Sequence, residues 1–315
     1  MSIAYLISAH TDPQQLRKLI SALHPDAHFF VHVDKKSDFD AFTSCIQQEN
    51  VHFITQRVDV IWGTIRQVDY QMALIKEAIE YPIPFDRIFF LSGLDYPLWS
   101  NARITSWLEA NKEKEFMAGF CMGTGTIDAC QQDLYTVPRP FVQIDGLSAR
   151  WNQRIRALLR RICKVLGIRK KLSFTAQGKT WQLYKGSDWW CVSRPLLLHI
   201  YNIYRDTPEI RRYFVNSFAP SETLPQTIAY NFPEWRARGI VFTDTYPGFV
   251  ALTPLHFVIY DGAIRVYDEN DFQMLIDSGK MFVRKLQSGR SDSLITLLDR
   301  HRKEEEATFS TPSPH

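Results

Sequence analysis

The stretch that most limits how this chain can fold is residues 87–97, RIFFLSGLDYP. Ile88, Phe89, Phe90 and Leu91 follow one another with no polar residue between them. A strand with one face in water alternates, whereas a strand covered by helices on both faces does not, so a buried central strand is expected here. The turn formers Gly93 and Pro97 end it. In open α/β sheets ligands bind outside the carboxyl ends of such strands, which puts Asp95 where a substrate would sit. Asp95 also suits a plainer task, capping the turn ahead of a helix over 101–110, and the residues themselves favour neither reading.

The chain before this strand repeats one pattern. Residues 3–8 (IAYLIS) read as a strand, and Thr11-Asp12-Pro13 then opens a helix with Leu16, Leu19, Ile20 and Leu23 on one face. Residues 27–34 (AHFFVHVD) form a second strand ending at His32 and Asp34, followed by Lys35, Lys36 and a helix from about Asp38. A short strand over 51–54 precedes a helix over 65–81 that Pro82 stops. Successive strand–helix units predict a mostly parallel α/β sheet with nucleotide-sized ligands at its carboxyl edge. A chain of 315 residues with 45% hydrophobic content can fill such a core. One domain is expected over 1–303, with a nucleotide-binding half (1–110), an acceptor-side and catalytic half (111–303), and a disordered tail over 304–315.

Composition narrows the function classes. No run of 18 apolar residues occurs and residues 1–6 lack the features of a signal peptide, so a cytoplasmic location is expected. Five dispersed cysteines without a Cys-x-x-Cys pair argue against a disulfide framework or a structural zinc site. The net charge of +3 hides an uneven distribution: residues 150–171 hold nine basic and no acidic side chains, while acidic residues outnumber basic ones elsewhere. No nucleic-acid-binding module accompanies that segment, and no nucleic-acid partner is expected.

Other candidate features each carry two readings. Asp38-Phe39-Asp40 fits an Asp-x-Asp metal motif, but carboxylates at a helix start also complement the helix dipole. His32, between Val31 and Val33, fits an internal histidine or a ligand contact near a strand end. Residues 121–149, rich in Gly, Pro and Asp, read as loops over the acceptor side. Residues 150–171 place Trp151, Ile155, Leu158, Leu159, Ile162, Val165 and Leu166 on one helical face with arginines around it. That is either a surface helix packed on the domain or an interfacial helix drawn to anionic lipid. Trp189 and Trp190 suit a core or a platform for sugar rings, and Glu222, in FAPSET, stands in the first turn of a helix through Ile228.

Taken together, VHVDKKS (31–37), IWG (61–63), FFLSGLDYPL (89–98), GSDWW (186–190), FAPSETLPQTI (218–228) and MFVRKL (281–286) resemble, in order and spacing, the core-2/I-branching N-acetylglucosaminyltransferase and peptide O-xylosyltransferase family. The resemblance covers roughly residues 3–300. It implies an inverting glycosyltransferase of the A-type, Rossmann-like fold that works without a divalent metal or other cofactor. The family's catalytic base falls on Glu222, and the uracil-facing carboxylate on Asp34 with Val31 and His32 beside it. Its diphosphate-binding cations fall on Arg284 and Lys285, with Arg265 as a further candidate, and the acceptor side on Asp95, Trp189 and Trp190. The implied partners are a UDP-sugar donor, N-acetylglucosamine or xylose, and a glycan or glycolipid acceptor, with the 150–171 helix offering peripheral contact with the inner membrane face.

The residue types suit that chemistry. Inverting transfer needs a base for the acceptor hydroxyl and positive charge at the leaving diphosphate. A guanidinium and an ammonium can supply that charge in place of a metal. Neighbours on an extended strand point to opposite faces, so Arg284 and Lys285 can act together only if the chain turns there or the phosphates lie beyond the strand end. A glycoside hydrolase using Asp95 and Glu222, a non-catalytic sugar-binding relative, and a membrane adaptor acting through 150–171 are the alternatives.

Overall fold

A computed structural model of the chain describes residues 1–123, 129–243 and 246–310. Its central sheet is built from β1 (Ile3–Ala9), β2 (His28–Val33), β3 (Val51–Phe53) and β4 (Arg87–Ser92). They run parallel in the order β4, β1, β2, β3, and the short strand Cys191–Ser193 adds antiparallel to β4. Helices α1 (Pro13–Ala22), α2 (Phe39–Cys45) and α3 (Arg66–Glu80) make the crossovers. Every residue of β4 is buried, as its unbroken apolar run requires.

Aromatic rings on neighbouring strands lock the sheet from both faces. Tyr5 lies in register with Phe29 and Phe89 and stacks on both, with centroids 5.4 and 5.0 Å away. On the opposite face Phe90 meets Trp190 at 5.3 Å. Cross-strand aromatic pairs of this kind contribute roughly 0.5–1.5 kcal/mol each beyond their area. Asp12 caps α1 by accepting from the Gln15 N–H at 3.0 Å, and Leu16, Leu19 and Ile20 form the buried stripe that the spacing predicts.

The strand order fixes where a ligand can enter. From β1 the chain winds outward through β2 to β3, then returns to place β4 on the other side of β1. The carboxyl ends of β1 and β4 therefore flank a topological switch point, the crevice that open α/β sheets use for ligands. Two small sheets frame it. In one, β5 (Asp95–Pro97) pairs antiparallel with Phe282–Arg284, which pairs parallel with His256–Phe257. In the other, β6 (Ala118–Cys121) lies between Ile240–Phe242 and Tyr184–Lys185. The helix α4 (Asn101–Ala110) follows β5, with Ser100 rather than Asp95 as its side-chain cap.

Three expectations change. Residues 121–149 are not all loop: β6 ends there and α5 (Ala129–Thr136) crosses the segment, while 124–128 lie outside the described residues. The tail expected to be disordered from 304 starts inside a helix, Asp292–Ser310. Glu305 holds that helix to the start of α4, accepting from the Ser100 N–H and the Arg103 guanidinium, both at 2.7 Å; residues 311–315 lie outside the described residues. The basic helix α6 (Ala149–Val165) packs only part of its apolar face, Ile155 and Leu159, which are half-buried. Asn152 is its buried residue, while Trp151, Leu158, Ile162 and Val165 are exposed. Among the described residues no helix is long and apolar enough to cross a membrane, and Cys45, Cys121, Cys163 and Cys191 are free thiols.

Candidate active site

One side of the crevice collects charge at the ends of β1 and β2. The Asp34 N–H donates to the Ala9 carbonyl at 2.8 Å, drawing the two strand ends together. One Asp34 carboxylate oxygen accepts from the Lys36 N–H at 3.0 Å and lies 3.3 Å from the Lys36 ammonium, which also pairs with Asp59 at 2.6 Å. Arg57 clamps the loop by donating to the carbonyls of Val33, Asp34 and Ser37. His10, just beyond β1, is the meeting point. Its pKa is lowered by partial desolvation and then by Arg284, Lys285 and Lys36, with Asp34 opposing. Charges from separate stretches of sequence thus converge on one imidazole.

Arg284 is delivered there by Asp95. Asp95 is fully buried and stands opposite Arg284 in the β5 ladder. One of its oxygens accepts from the Arg284 guanidinium at 3.0 Å; the other accepts from the Ser92 N–H at 2.7 Å and meets His256 Nε2 at 3.1 Å. Burial alone would raise the Asp95 pKa, but His256, Arg284 and the Ser92 N–H outweigh it and hold the carboxyl below its usual range. Burial lowers the His256 pKa against the pull of Asp95, which fits a neutral ring donating its Nε2–H. Trp189 closes the cluster, with the Arg284 guanidinium 5.5 Å from its ring and His256 at 5.4 Å. The strand ends at Arg284 and the Arg284–Lys285 peptide bond is cis. Lys285 is the first residue beyond the strand.

The other side is built on a turn. Ala219 takes the left-handed conformation (φ 41°) and donates to the Gly63 carbonyl at 3.1 Å, and the single 3-10 turn Pro220–Glu222 precedes the helix Leu224–Tyr230. The Glu222 carboxylate accepts from the Lys185 ammonium at 2.5 Å, and its carbonyl accepts from the Gly186 N–H at 2.7 Å. Burial works against the Lys185 charge, but Glu222 and Tyr135 outweigh it and keep the ammonium protonated. Asp188 accepts from the Gln71 side chain at 3.1 Å. Burial and the nearby Glu222 charge push its carboxyl up to about 7. Gly186 is sterically required: a Cβ there would lie 2.2 Å from the Ala118 carbonyl oxygen.

The segment 186–190 joins the two sides, since Asp188 faces Glu222 while Trp189 lies against Arg284. The structure places Trp189 against Arg284, Asp34 at the joined ends of β1 and β2, and Glu222 on the Lys185 side of the 186–190 segment, and it redistributes the other candidates. Asp95 faces no open acceptor surface; it holds the arginine. His32 is an internal histidine: its Nε2 accepts from the Val58 N–H at 2.9 Å, it stacks on Tyr70, and burial lowers its pKa to about 4. Val31 is fully buried and Trp190 packs on Phe90, so both belong to the core. Arg265 spends its guanidinium on Asp271, although its carbonyl accepts from the Lys285 N–H at 3.3 Å. Asp38 caps α2 by accepting from the Asp40 and Ala41 N–H groups. Among the described residues no three His, Cys, Asp or Glu side chains gather as a metal site. Sequence reasoning missed His10, Lys185, Tyr135 and His256 as site residues, and passed over Asp188 although it stands inside GSDWW.

Known proteins share this framework. Residues 3–127 match the model of the Core-2/I-Branching enzyme family, a span that holds β1 through β6 and the Asp34 and Asp95 ends of the crevice. The chain is 24% identical to Xylosyltransferase 2 of Mus musculus over 241 residues and to that of Homo sapiens over 239. It is 22% identical to Xylosyltransferase 1 of Rattus norvegicus over 238 residues. Each alignment covers 73% of this chain but only about a quarter of the relative: 25%, 24% and 26% respectively. Among solved structures, mannose-1-phosphate geranyltransferase from Thermus thermophilus is similar with a TM-score of 0.29 and 11% identity, over 85% of this chain and 83% of that one. The match over the first strands and the alignments that reach across most of the chain point the same way: this chain is similar to Core-2/I-branching enzymes and to xylosyltransferases.

Proposed function

We propose that the chain is an inverting, metal-independent glycosyltransferase of the A-type fold that moves N-acetylglucosamine or xylose from its UDP conjugate to a hydroxyl of a glycan or glycolipid. The observation that supports this reading is the 186–190 segment, which contacts Glu222 through the Gly186 N–H at one end and Arg284 through Trp189 at the other. Arg284 and Lys285 would receive the diphosphate, with Asp34 near the uracil as in the resemblance and no metal or other cofactor required. The acceptor oxygen attacks the anomeric carbon as the bond to the diphosphate oxygen breaks, and the acceptor proton passes to Glu222. Charge that grows on the leaving oxygen meets cations already in place. Lys185 holds the Glu222 carboxylate in place by donating to it. A hydrolase would have no use for the cation pair, and the full burial of Asp95 leaves it without the open carboxylate pair that reaction needs.

The exposed apolar edge of α6 supports a cytoplasmic enzyme held at the inner membrane face. Trp151, Leu158, Ile162 and Val165 are bordered by Arg150, Arg154 and Arg161, a pattern suited to the interface of an anionic bilayer. Phosphatidylglycerol vesicles should sediment the protein at low salt and release it at high salt, with Trp151→Ser/Leu158→Ser binding less. No sedimentation at low salt contradicts membrane contact.

Glu222→Gln should lower turnover by roughly 10²–10⁴-fold while UDP affinity, measured by calorimetry, stays the same, because the base acts on the acceptor and not on the nucleotide. Turnover equal to the parent's removes Glu222 from the chemistry.

Asp188 makes a separate pH prediction. Its folded pKa of about 7 lies above the ordinary carboxylate value, so the folded chain binds more protons than the unfolded chain between the two values. Its contribution to stability therefore falls as pH rises from about 4 to about 7. Asp188→Asn copies the neutral form, so its melting temperature relative to the parent should be higher at pH 8 than at pH 5. Adding Glu222→Gln should shrink that difference, and a difference independent of pH contradicts the raised pKa.

A further inference from the structure

We infer that the cleft between residues 59–64 and α6 is an acceptor subsite for an acidic saccharide, one bearing carboxylate or phosphate groups. The inference deepens the transferase reading above and rests on it. The cleft, about 1030 Å³, is lined by Lys36, Arg139, Arg156, Arg160, Arg161 and Lys164 against one carboxylate, Asp59. Lys36 is spent on Asp59, Lys164 on Asp133 at 2.6 Å, and Arg156 on the Val142 carbonyl. Arg139, Arg160 and Arg161 have no ion-pair partner among the described residues. Arg139 also keeps a buried Nε–H without an acceptor.

The orientation of α6 makes this charge an inward feature. Arg156 and Arg160 line the cleft half-buried and Arg161 and Lys164 stand exposed at its rim, whereas Trp151, Leu158, Ile162 and Val165 lie on the opposite side, exposed. A helix that merely covered the domain would turn its apolar stripe inward. Here the half-buried residues of α6 include Arg156 and Arg160 as well as Ile155 and Leu159, and cations gathered in a cleft repel one another until an anion enters. Burial and then the neighbouring Arg160 lower the Arg139 pKa to about 10, in line with that repulsion.

Contacts tie the cleft to the reaction centre. The Arg139 guanidinium lies 4.0 Å from the ring of Phe218, which opens the segment holding Glu222. Phe218 also meets Tyr135 and Trp62, at 5.8 and 5.6 Å. Trp62 lines the cleft and is 73% exposed, an uncovered aromatic surface of the kind on which a sugar ring can lie. That aromatic platform beside the arginines favours a saccharide over an acidic peptide.

Calorimetry on the full chain tests the inference with four probes: a hexasaccharide of alternating glucuronic acid and N-acetylglucosamine, a phosphodiester-linked hexasaccharide, neutral N-acetylglucosamine hexamer, and hexaglutamate. One or both acidic saccharides should bind more tightly than the neutral hexamer, lose affinity as salt rises, and bind about tenfold or more weakly to Arg160→Gln/Arg161→Gln. Which of the two binds tells carboxylate from phosphate. The same variant should bind UDP like the parent; a parent that binds UDP but does not prefer the acidic saccharides overturns this inference alone, whereas a parent that does not bind UDP overturns the transferase reading. Neutral hexamer binding as well as the acidic probes, unchanged affinity in the variant, no binding by any saccharide, or hexaglutamate binding as tightly would each overturn it.

Discussion

A single buried carboxylate sets the geometry on which the site depends. Asp95 has no access to water, and its two oxygens are taken by the Ser92 N–H, His256 and Arg284. Two of those partners come from the far end of the chain; Arg284 is 189 residues away in sequence. An isolated carboxylate in this position would be expelled or protonated, and breaking a buried charge pair by removing one partner costs about 3–5 kcal/mol. The fold therefore cannot close around Asp95 without also bringing Arg284 to the end of β4. Assembly of the core and assembly of the proposed diphosphate site are one event.

The proposed base is held by different means. Glu222 stands on one 3-10 turn, with Lys185 on its carboxylate and the Gly186 N–H on its carbonyl. Because Gly186 admits no side chain beside the Ala118 carbonyl, the segment 186–190 runs tightly from Lys185 past Asp188 to Trp189. Arg284 and Glu222 are thus linked by one short, hydrogen-bonded stretch. Rigid placement of this kind is what lets charges act on a developing transition state without rearranging.

Much of the nucleotide-side fold was legible because it rests on local periodicity. The unbroken apolar run in β4, the stripe on α1 and the Pro82 stop each specify an element from neighbours in sequence. Asp34, Arg284, Lys285 and Glu222 stood out as candidates only through the order and spacing of short motifs. Partnerships between distant residues were not. Nothing near Asp95 says that it will be sealed by residues 256 and 284, and nothing near Glu222 names Lys185 or Tyr135. His32 showed the limit from the other side, since a histidine within an apolar strand looks alike whether it meets a ligand or, as here, the Val58 N–H. For α6 the amphipathic pattern was plain, but periodicity cannot say which face turns inward, and the fold left much of the apolar stripe exposed.

The central claim is that Arg284 and Lys285 take the place of a metal ion at the leaving diphosphate, and the most direct measurement is sugar transfer from the UDP donor in excess chelator, before and after manganese is restored. The account predicts the same rate in both conditions for the parent. It also predicts that Lys285→Ala is slowed about tenfold or more, as expected for one lost charge-assisted contact, and is not rescued by manganese. Activity that vanishes with chelator and returns with manganese would contradict it.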